Sequence, residues 1–229
     1  QLTMDKCLHQ LLNHLKIPDP GTIGDGLVRI YPLGYEGLNH LNRYLIDKVI
    51  SQDEHESYTL DADATPIESH KREAKMTYKG FTGYMPMLAN LAEVPLWLVD
   101  DFREGNVPPQ AQALVILDRA IERMPPCKRI GFLRSDSAWY QAAIFNRCEE
   151  KGIIFAITAD QDSAVKEAIA RIQDWQPLRD KNGFLTDRLW GETVHCMAGT
   201  KIAFRLIVQR WPNPRRKTPK DAEFCYHVI

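Results

Sequence analysis

Residues Ser57–Ala64 read SYTLDADA, an alternation of apolar and polar residues that ends on the two carboxylates Asp61 and Asp63. This alternation predicts a β-strand with one buried face. A second apolar run, Arg129–Leu133, also delivers a carboxylate, Asp136, as the chain leaves it. Two strands that each end in an aspartate can hold a hard divalent cation between their side chains.

The segments around these two runs predict a mixed α/β order. Three strands come first, and their tight connections favour antiparallel neighbours. The predicted elements are strands at Tyr58–Asp63, Tyr84–Ala92 and Leu96–Phe102, a helix at 108–124, a strand at Arg129–Leu133, a helix at Ser137–Lys151, a strand at 152–160 and a helix at Ser163–Trp175. The order β-β-β-α-β-α-β-α is that of a ribonuclease H-like mixed sheet, whose first and fourth strands lie side by side. Asp63 and Asp136, separated by 136 − 63 = 73 positions, would then converge.

Two further regions flank this predicted core of residues 57–176. Residues 1–56 predict a helical N-terminal region, with one amphipathic helix over 1–16, a loop over 19–26 (DPGTIGDG) and a second helix over 35–50. Its basic residues either contact DNA or form a solvated face. Residues 177–229 predict a β-rich insertion with strands at 189–197, 201–210 and 224–229. Because the chain ends within a predicted strand, we expect this insertion to be incomplete.

Composition narrows the class of protein. The 229 residues are 44% hydrophobic, with 29 Lys and Arg against 30 Asp and Glu, so any binding to a polyanion must come from local patches. The five cysteines are widely spaced and contain no Cys-x-x-Cys pair, which favours free thiols in a reducing cytosol. No apolar run reaches the roughly 18 to 20 residues that span a bilayer. We expect a cytoplasmic protein with no membrane partner.

Three blocks of sequence, in this order, resemble the DDE transposases of bacterial insertion sequences. They read LDADATPIESHKREAKMTYKGFTGYMPML, DFREGN and RIGFLRSDSAWY, and the first places the chain with the branch that carries an Asp-x-Asp-Ala-Thr motif. The resemblance extends from about Tyr58 to the end of the chain. It implies a ribonuclease H-like catalytic core in which two Asp and one Glu hold two Mg²⁺ or Mn²⁺ ions.

The resemblance assigns the family's catalytic roles to particular residues of this chain. The first Asp is Asp63, which precedes a small residue and Thr65, and the second is Asp136. Asp61 faces the same side of the strand and is the rival for the first role. Each aspartate alone is also common in turns. Hard oxygen ligands favour Mg²⁺ or Mn²⁺ over zinc, and two such ions can activate a water or a 3′-hydroxyl and stabilise the leaving oxygen of a phosphodiester.

The family's Glu lies on a helix after a β-rich insertion, within a Tyr, Arg, Glu and Lys signature. That signature is not found in the chain, and Glu192 falls within a predicted strand, so we expect the third acidic ligand beyond Ile229. The resemblance further implies DNA as the partner, both the ends of the element and its target. It also implies a homodimer on DNA, in the bacterial cytoplasm at the nucleoid.

Two basic patches are candidates for DNA contacts, because phosphate binding needs a local excess of positive charge. The first follows Asp63 and contains Lys71, Arg72, Lys75 and Lys79. The second runs from Arg205 to Lys220 and is densest at Arg215, Arg216 and Lys217. A solvated charged loop explains either patch without DNA.

The sequence therefore leaves four alternative functions open. The first is a DNA transposase core, which hydrolyses phosphodiester bonds at the ends of an insertion sequence and transfers the strands. The others are a truncated or inactive remnant that binds DNA, a ribonuclease H-like nuclease unrelated to transposition, and an α/β metabolic enzyme.

Overall fold

The computed structural model describes residues 19–31, 33–94, 96–218 and 222–229. The chain divides into two compact units, Gln1–Asp53 and Glu54–Ile229. The helix predicted over residues 1–16 and the basic residue Lys220 lie outside the described residues.

The first unit contains two helices, α1 (Pro20–Ile30) and α2 (Leu33–Gln52). Helix α2 agrees with the helix predicted over 35–50, whereas the loop predicted over 19–26 is wrong, because α1 begins there. Asp19 caps α1: its Oδ1 accepts hydrogen bonds from the backbone N–H groups of Gly21 (2.9 Å) and Thr22 (3.1 Å). Pro20 occupies the first helical position, where a missing N–H costs nothing. This cap and proline outweigh the low helix propensity of the glycines that follow.

The second unit contains all twelve strands of the described residues and three further helices. They are β1 (Ser57–Ala64), β2 (Ile67–Glu68), β3 (Lys75–Met76), β4 (Thr82–Tyr84), β5 (Met87–Leu91), β6 (Trp97–Asp101), α3 (Ala113–Arg123), β7 (Arg129–Ser135), a single 3-10 turn (Ser137–Trp139), α4 (Ala142–Lys151), β8 (Ile154–Ile157), α5 (Ser163–Ala170), β9 (Gln176–Arg179), β10 (Leu185–His195), β11 (Phe204–Pro212) and β12 (Phe224–Val228).

The central sheet has five strands in the order β6-β5-β1-β7-β8. Strand β1 pairs antiparallel with β5, and β5 pairs antiparallel with β6. Strands β1, β7 and β8 are parallel. The antiparallel start and the neighbouring first and fourth core strands, β1 and β7, are therefore confirmed. This mixed sheet is compatible with a ribonuclease H-like transposase fold.

Alternation along β1 separates a buried face from an open one. Tyr58, Leu60, Ala62 and Ala64 are buried, so the side chains between them, including Asp61 and Asp63, lie on the opposite face of the sheet. Helices α3 and α4 contact each other and the outer strands β6 and β8 respectively. Asp61 and Asp63 therefore lie on the face of the sheet opposite to the buried apolar side chains of β1.

Several element ends differ from the prediction for local backbone reasons. The strand predicted over Tyr84–Ala92 is divided, because Pro86 has no N–H to donate to a ladder, and Tyr84 belongs to β4 instead. Helix α3 begins at Ala113 rather than residue 108, since Gln112 adopts a left-handed conformation with φ 62°. The helix predicted from Ser137 is interrupted at Gln141, whose backbone is extended.

Two smaller sheets complete the second unit. Strands β12-β11-β10-β9 form an antiparallel sheet, which confirms the three strands predicted after residue 177 and adds β9. Strands β2-β4-β3 form a three-stranded sheet next to β1 in the chain.

An aromatic cluster joins the four-stranded sheet to the central sheet. Phe204 of β11 lies 4.6 Å from Phe145 of α4 and 6.0 Å from Phe155 of β8, measured between ring centroids. The ring of Tyr140 packs edge-on against Phe204, with 6.3 Å between the ring centroids. Both sheets therefore share one apolar core.

Two whole-chain features concern the described residues only. No helix among them is both long enough and apolar enough to cross a bilayer. Their four cysteines, Cys127, Cys148, Cys196 and Cys225, are free, as the sequence predicts. Burial raises the pKa of the Cys148 thiol to about 12.

Candidate active site

Strand pairing brings Asp63 and Asp136 to the same place. In the parallel pair of β1 and β7, Asp61 stands opposite Arg134 and Ala62 opposite Ser135. The same offset of 73 residues places Asp136, one position further along, beside Asp63. Both carboxylates line one open cavity of about 360 Å³. The two aspartates that the sequence singles out thus lie together at the ends of neighbouring strands.

A β-bulge at Gly131 sets this alignment. Tyr58 stands opposite Ile130, but Thr59 stands opposite Phe132, so β7 carries one extra residue at this point. If β7 kept the register of its first two pairs, Ser135 instead of Asp136 would face Asp63. Because a one-residue slip also turns side chains to the other face of a sheet, the bulge decides whether the two acids meet.

The two carboxylates repel each other. Asp63 is exposed, yet enough protein surrounds its carboxylate to desolvate it in part. This desolvation, and then the charge of Asp136, raise the pKa of Asp63. Lys79 and the backbone N–H of Ala64 act in the opposite direction. On the other strand, Asp136 Oδ1 accepts a hydrogen bond of 3.0 Å from the backbone N–H of Ala138 and so caps the 3-10 turn.

Asp61 has a different environment, although it shares the face of β1 with Asp63. Arg134 donates two hydrogen bonds to it, from Nε to Oδ1 (2.7 Å) and from Nη2 to Oδ2 (2.6 Å). The hydrogen bonds and the charge of Asp61 raise the pKa of Arg134. Both oxygens of Asp61 are therefore engaged by a guanidinium, whereas Asp63 faces another acid.

The chemistry of this pair fits a hard divalent cation. Mg²⁺ is usually held by one or two carboxylates together with waters and substrate phosphates, and Asp63 with Asp136 supplies two. Within the part of the chain that the structure describes, no group of three or more His, Cys, Asp or Glu is arranged to hold a metal. Glu192, as its predicted strand position suggests, lies in β10 and forms an ion pair with Arg205 (3.4 Å).

Comparison with known families agrees with this geometry. The family model for the transposase DDE domain, group 1, matches residues 21–218, well over half of the chain. The chain belongs to this family. A comparison with curated proteins finds no relative. The match spans Asp63 and Asp136 and the strands β1 and β7.

A second and larger cavity, with a volume of about 760 Å³, adjoins the cavity that Asp63 and Asp136 line. Asp136 lines both cavities, and Gln141, Tyr140 and Asp160 line the larger one. The hydroxyl of Tyr140 is buried and has no hydrogen-bond partner among the described residues. Burial, Asp162 and Asp160 raise its pKa to about 12. This cavity was not predicted from the sequence. The polar residues that directly follow Asp136 are the feature of the sequence that could have indicated it.

The first basic patch of the DDE domain is exposed, and one of its residues, Lys79, lies close to Asp63. Lys71, Arg72, Lys75 and Lys79 are all exposed on the three-stranded sheet and its loops. Lys79 is near enough to Asp63 to oppose the rise of its pKa, and its Nζ lies 5.0 Å from the ring centroid of Tyr78.

The second basic patch is partly occupied by contacts within the protein. Arg215, Arg216 and Lys217 are exposed, but Arg216 lies 3.8 Å from Glu223. Arg210 stacks between Trp175 (3.9 Å) and Phe224 (4.6 Å). Fewer cations are therefore presented to solvent here than the sequence count indicates.

One basic residue that the family block contains has a structural role. Arg103 is 5% exposed and donates hydrogen bonds from Nε to the carbonyl of Met85 (2.8 Å) and from Nη1 to that of Ala111 (2.9 Å). Next to it, a Cβ on Gly105 would lie 2.4 Å from the carbonyl oxygens of Gly83 and Lys75. This packing explains why the turn at Gly105 needs a glycine.

Proposed function

We propose that this chain is the catalytic core of a DNA transposase that cuts and joins phosphodiester bonds at the ends of a bacterial insertion sequence. The observation that carries the proposal is the proximity of Asp63 and Asp136, which line one cavity at the ends of β1 and β7 within a transposase DDE domain. The proposed fold is ribonuclease H-like, and the proposed cofactor is Mg²⁺ or Mn²⁺, with two ions in the complete site. When bound, such ions neutralise charge on the phosphate and lower the pKa of an attacking water.

Asp63 and Asp136 are the residues that would hold the cation. Their mutual repulsion supports this role, because a bound cation converts an unfavourable pair of charges into a favourable one. The cap at Ala138 fixes one carboxylate at the end of β7. Asp61 is the weaker candidate, since a metal would have to displace both hydrogen bonds from Arg134.

DNA is the proposed partner, as the terminal sequences of the element and as its target, with a homodimer joining two ends at the nucleoid. We assign the phosphate contacts nearest the cut to Lys71, Arg72, Lys75 and Lys79, because all four are exposed on one small sheet and its loops and Lys79 among them lies near Asp63. Arg215, Arg216 and Lys217 form a second proposed contact. The helical region 1–56 is a further proposed contact with DNA.

Cleavage and metal binding test the catalytic proposal. Mn²⁺ affinity is measured by calorimetry, and nicking is measured on DNA that carries the ends of the element. Asp63→Asn and Asp136→Asn should each lose nicking and weaken Mn²⁺ binding at least tenfold. Asp187→Asn, which changes an exposed carboxylate on β10 of the four-stranded sheet, is the matched control and should behave as the unchanged protein. Nicking retained by Asp136→Asn would refute its catalytic role.

One observation favours a second candidate function, a remnant that binds DNA without cutting it. Among the described residues no third acid joins Asp63 and Asp136, and a site with two acidic ligands in place of three would bind metal and align the attacking oxygen less well. DNA binding without Mn²⁺-dependent nicking would establish this reading. Nicking with no preference for the element's ends would instead indicate a nuclease unrelated to transposition.

DNA binding itself is tested by its salt dependence. Each phosphate contact contributes a slope of about 0.9 in a plot of log affinity against log salt for duplex DNA. Neutralising Lys71, Arg72, Lys75 and Lys79 together should lower that slope by about two to four. Lys181→Gln, on the turn between β9 and β10, serves as the control, and an unchanged slope in the fourfold variant would remove the first patch from the interface.

A further inference from the structure

The ends of β1 and β7 are joined by more than their backbone ladder. Arg134 and Asp61 stand opposite each other and form a bidentate ion pair two positions before the two catalytic candidates, with Ala62 and Ser135 between them. Next to them, the hydroxyl of Ser135 donates a hydrogen bond of 2.8 Å to the carbonyl of Ala62. All these contacts lie after the bulge, on the stretch that leads directly to Asp63 and Asp136.

The register of this strand pair changes at the bulge. Before the bulge the offset is 129 − 57 = 72, and after it the offset is 134 − 61 = 73. A bulge-free pairing would continue the first offset and place Leu133 opposite Asp61, which would abolish the ion pair with Arg134. The ion pair therefore exists in only one of the two registers, the one that sets Asp136 beside Asp63.

At Asp63 and Asp136, charge repulsion favours the bulge-free register over the observed one. Asp63 and Asp136 repel in the observed pairing, and a slip that places Ser135 opposite Asp63 would relieve that repulsion. A matched pair of opposite charges next to them opposes the slip. Arginine suits this task because its planar fork matches a carboxylate at two points.

We propose that Arg134 and Asp61 are positioning residues whose ion pair holds β1 and β7 in the register that opposes Asp63 to Asp136. The inference rests on the proposed function of that acid pair, and it gives Asp61 a role other than metal ligand. Neither residue of the ion pair needs to touch the metal or the DNA.

The test compares two variants with a matched ion pair elsewhere. Arg134→Lys keeps the charge but loses the fork, and Asp61→Asn removes the charge. Each should weaken Mn²⁺ binding about tenfold, as loss of an outer contact at a metal site commonly does. Asp118→Asn breaks the Arg147–Asp118 pair between α3 and α4 and should leave Mn²⁺ affinity unchanged. In metal-free protein, hydrogen exchange at residues 132–135 should accelerate in the two variants and not in the control.

Deleting Gly131 gives a sharper test. The deletion removes the extra residue, so the pairs before and after the bulge fall into a single regular register that still opposes Asp63 to Asp136. With no bulge to lose, the ion pair should become dispensable. Arg134→Lys in the deletion background should therefore bind Mn²⁺ within about twofold of the deletion alone, although it weakens binding about tenfold in the natural chain.

The outcomes separate this inference from the proposed function. If the deletion fails to suppress Arg134→Lys, or if both variants match the natural chain in Mn²⁺ affinity and exchange, the register role is wrong. If Arg134→Lys weakens only DNA binding, Arg134 is a phosphate ligand and the inference is overturned. If the natural chain binds no Mn²⁺, or Asp136→Asn binds it unchanged, the proposed function fails, while the metal-free exchange still decides the register.

Discussion

Replacing Asp136 with asparagine should stabilise the metal-free protein while it removes nicking. The carboxylate of Asp136 is one cause of the raised pKa of Asp63, so the two charges destabilise the folded state at neutral pH. Asparagine removes this repulsion, and it still accepts the hydrogen bond from Ala138 because Asn caps helices as well as Asp does.

The expected gain is small but measurable. Like charges on neighbouring strands are destabilising by up to about 1 kcal/mol, so we expect about 0.5 kcal/mol for this exposed pair in about 0.1 M salt. For a chain of this size that corresponds to a rise of about 1–2 °C in Tm. Asp136→Ala relieves the same repulsion but loses the cap, worth about 1 kcal/mol, and should fall below the natural chain.

The pH dependence has a definite sign. An acid whose folded pKa is raised contributes stability below its unfolded pKa of 3.8, and this is lost as the pH rises through the folded pKa. The advantage of Asp136→Asn should therefore be present at pH 7 and shrink as the pH falls toward 3.8.

Urea unfolding followed by circular dichroism in EDTA measures these differences. Saturating Mg²⁺ should reverse the order of stability, because a ligand at one hundred times its Kd stabilises the protein that binds it by about 2.7 kcal/mol. The reasoning is refuted if Asp136→Asn is less stable than the natural chain in EDTA at pH 7, or if Mg²⁺ stabilises both proteins equally.

Three further predictions concern the scaffold. Arg103→Lys should lose about 2–3 kcal/mol in urea unfolding, since an ammonium cannot reach two carbonyls as the buried fork does; a loss below about 0.5 kcal/mol would contradict this. Phe204→Ala should lose about 3–5 kcal/mol by the same measurement, and a smaller loss would mean that the aromatic cluster repacks. Cys148, with its pKa of about 12, should resist a thiol reagent at pH 8 until the protein unfolds, while exposed Cys127 reacts at once.

The sequence predicts the parts of the fold that depend on simple periodicity. Strand β1 alternates cleanly and β7 begins with a short apolar run, so both strands were predictable, and so was an aspartate at the end of each. The bulge was not, because an isolated glycine within a strand, such as Gly131, suggests either a bulge or a close backbone approach, and residue spacing does not decide between them. Without the register, the ion pair of Asp61 with Arg134 was also beyond reach.

Other differences arise where short-range and long-range signals compete. The glycines after Asp19 suggest a loop, but the N-cap at Asp19 and the proline at position 20 favour a helix. Arg210 reads as a cation for DNA, yet two distant aromatic rings enclose it. Such contacts depend on how remote segments meet, which residue spacing does not encode.

The aromatic cluster links the folding of the central sheet to the order of synthesis. Phe145 and Phe155 are made well before Phe204, their partner across the two sheets. Protein synthesis adds about 5–20 residues per second, so this apolar surface stays exposed on the nascent chain for a few seconds before Phe204 is made. A fragment that ends at Gln176 keeps every strand of the central sheet and lacks that cover for good. We expect such a fragment to bind a hydrophobic dye and to aggregate, whereas residues 54–229 should do neither.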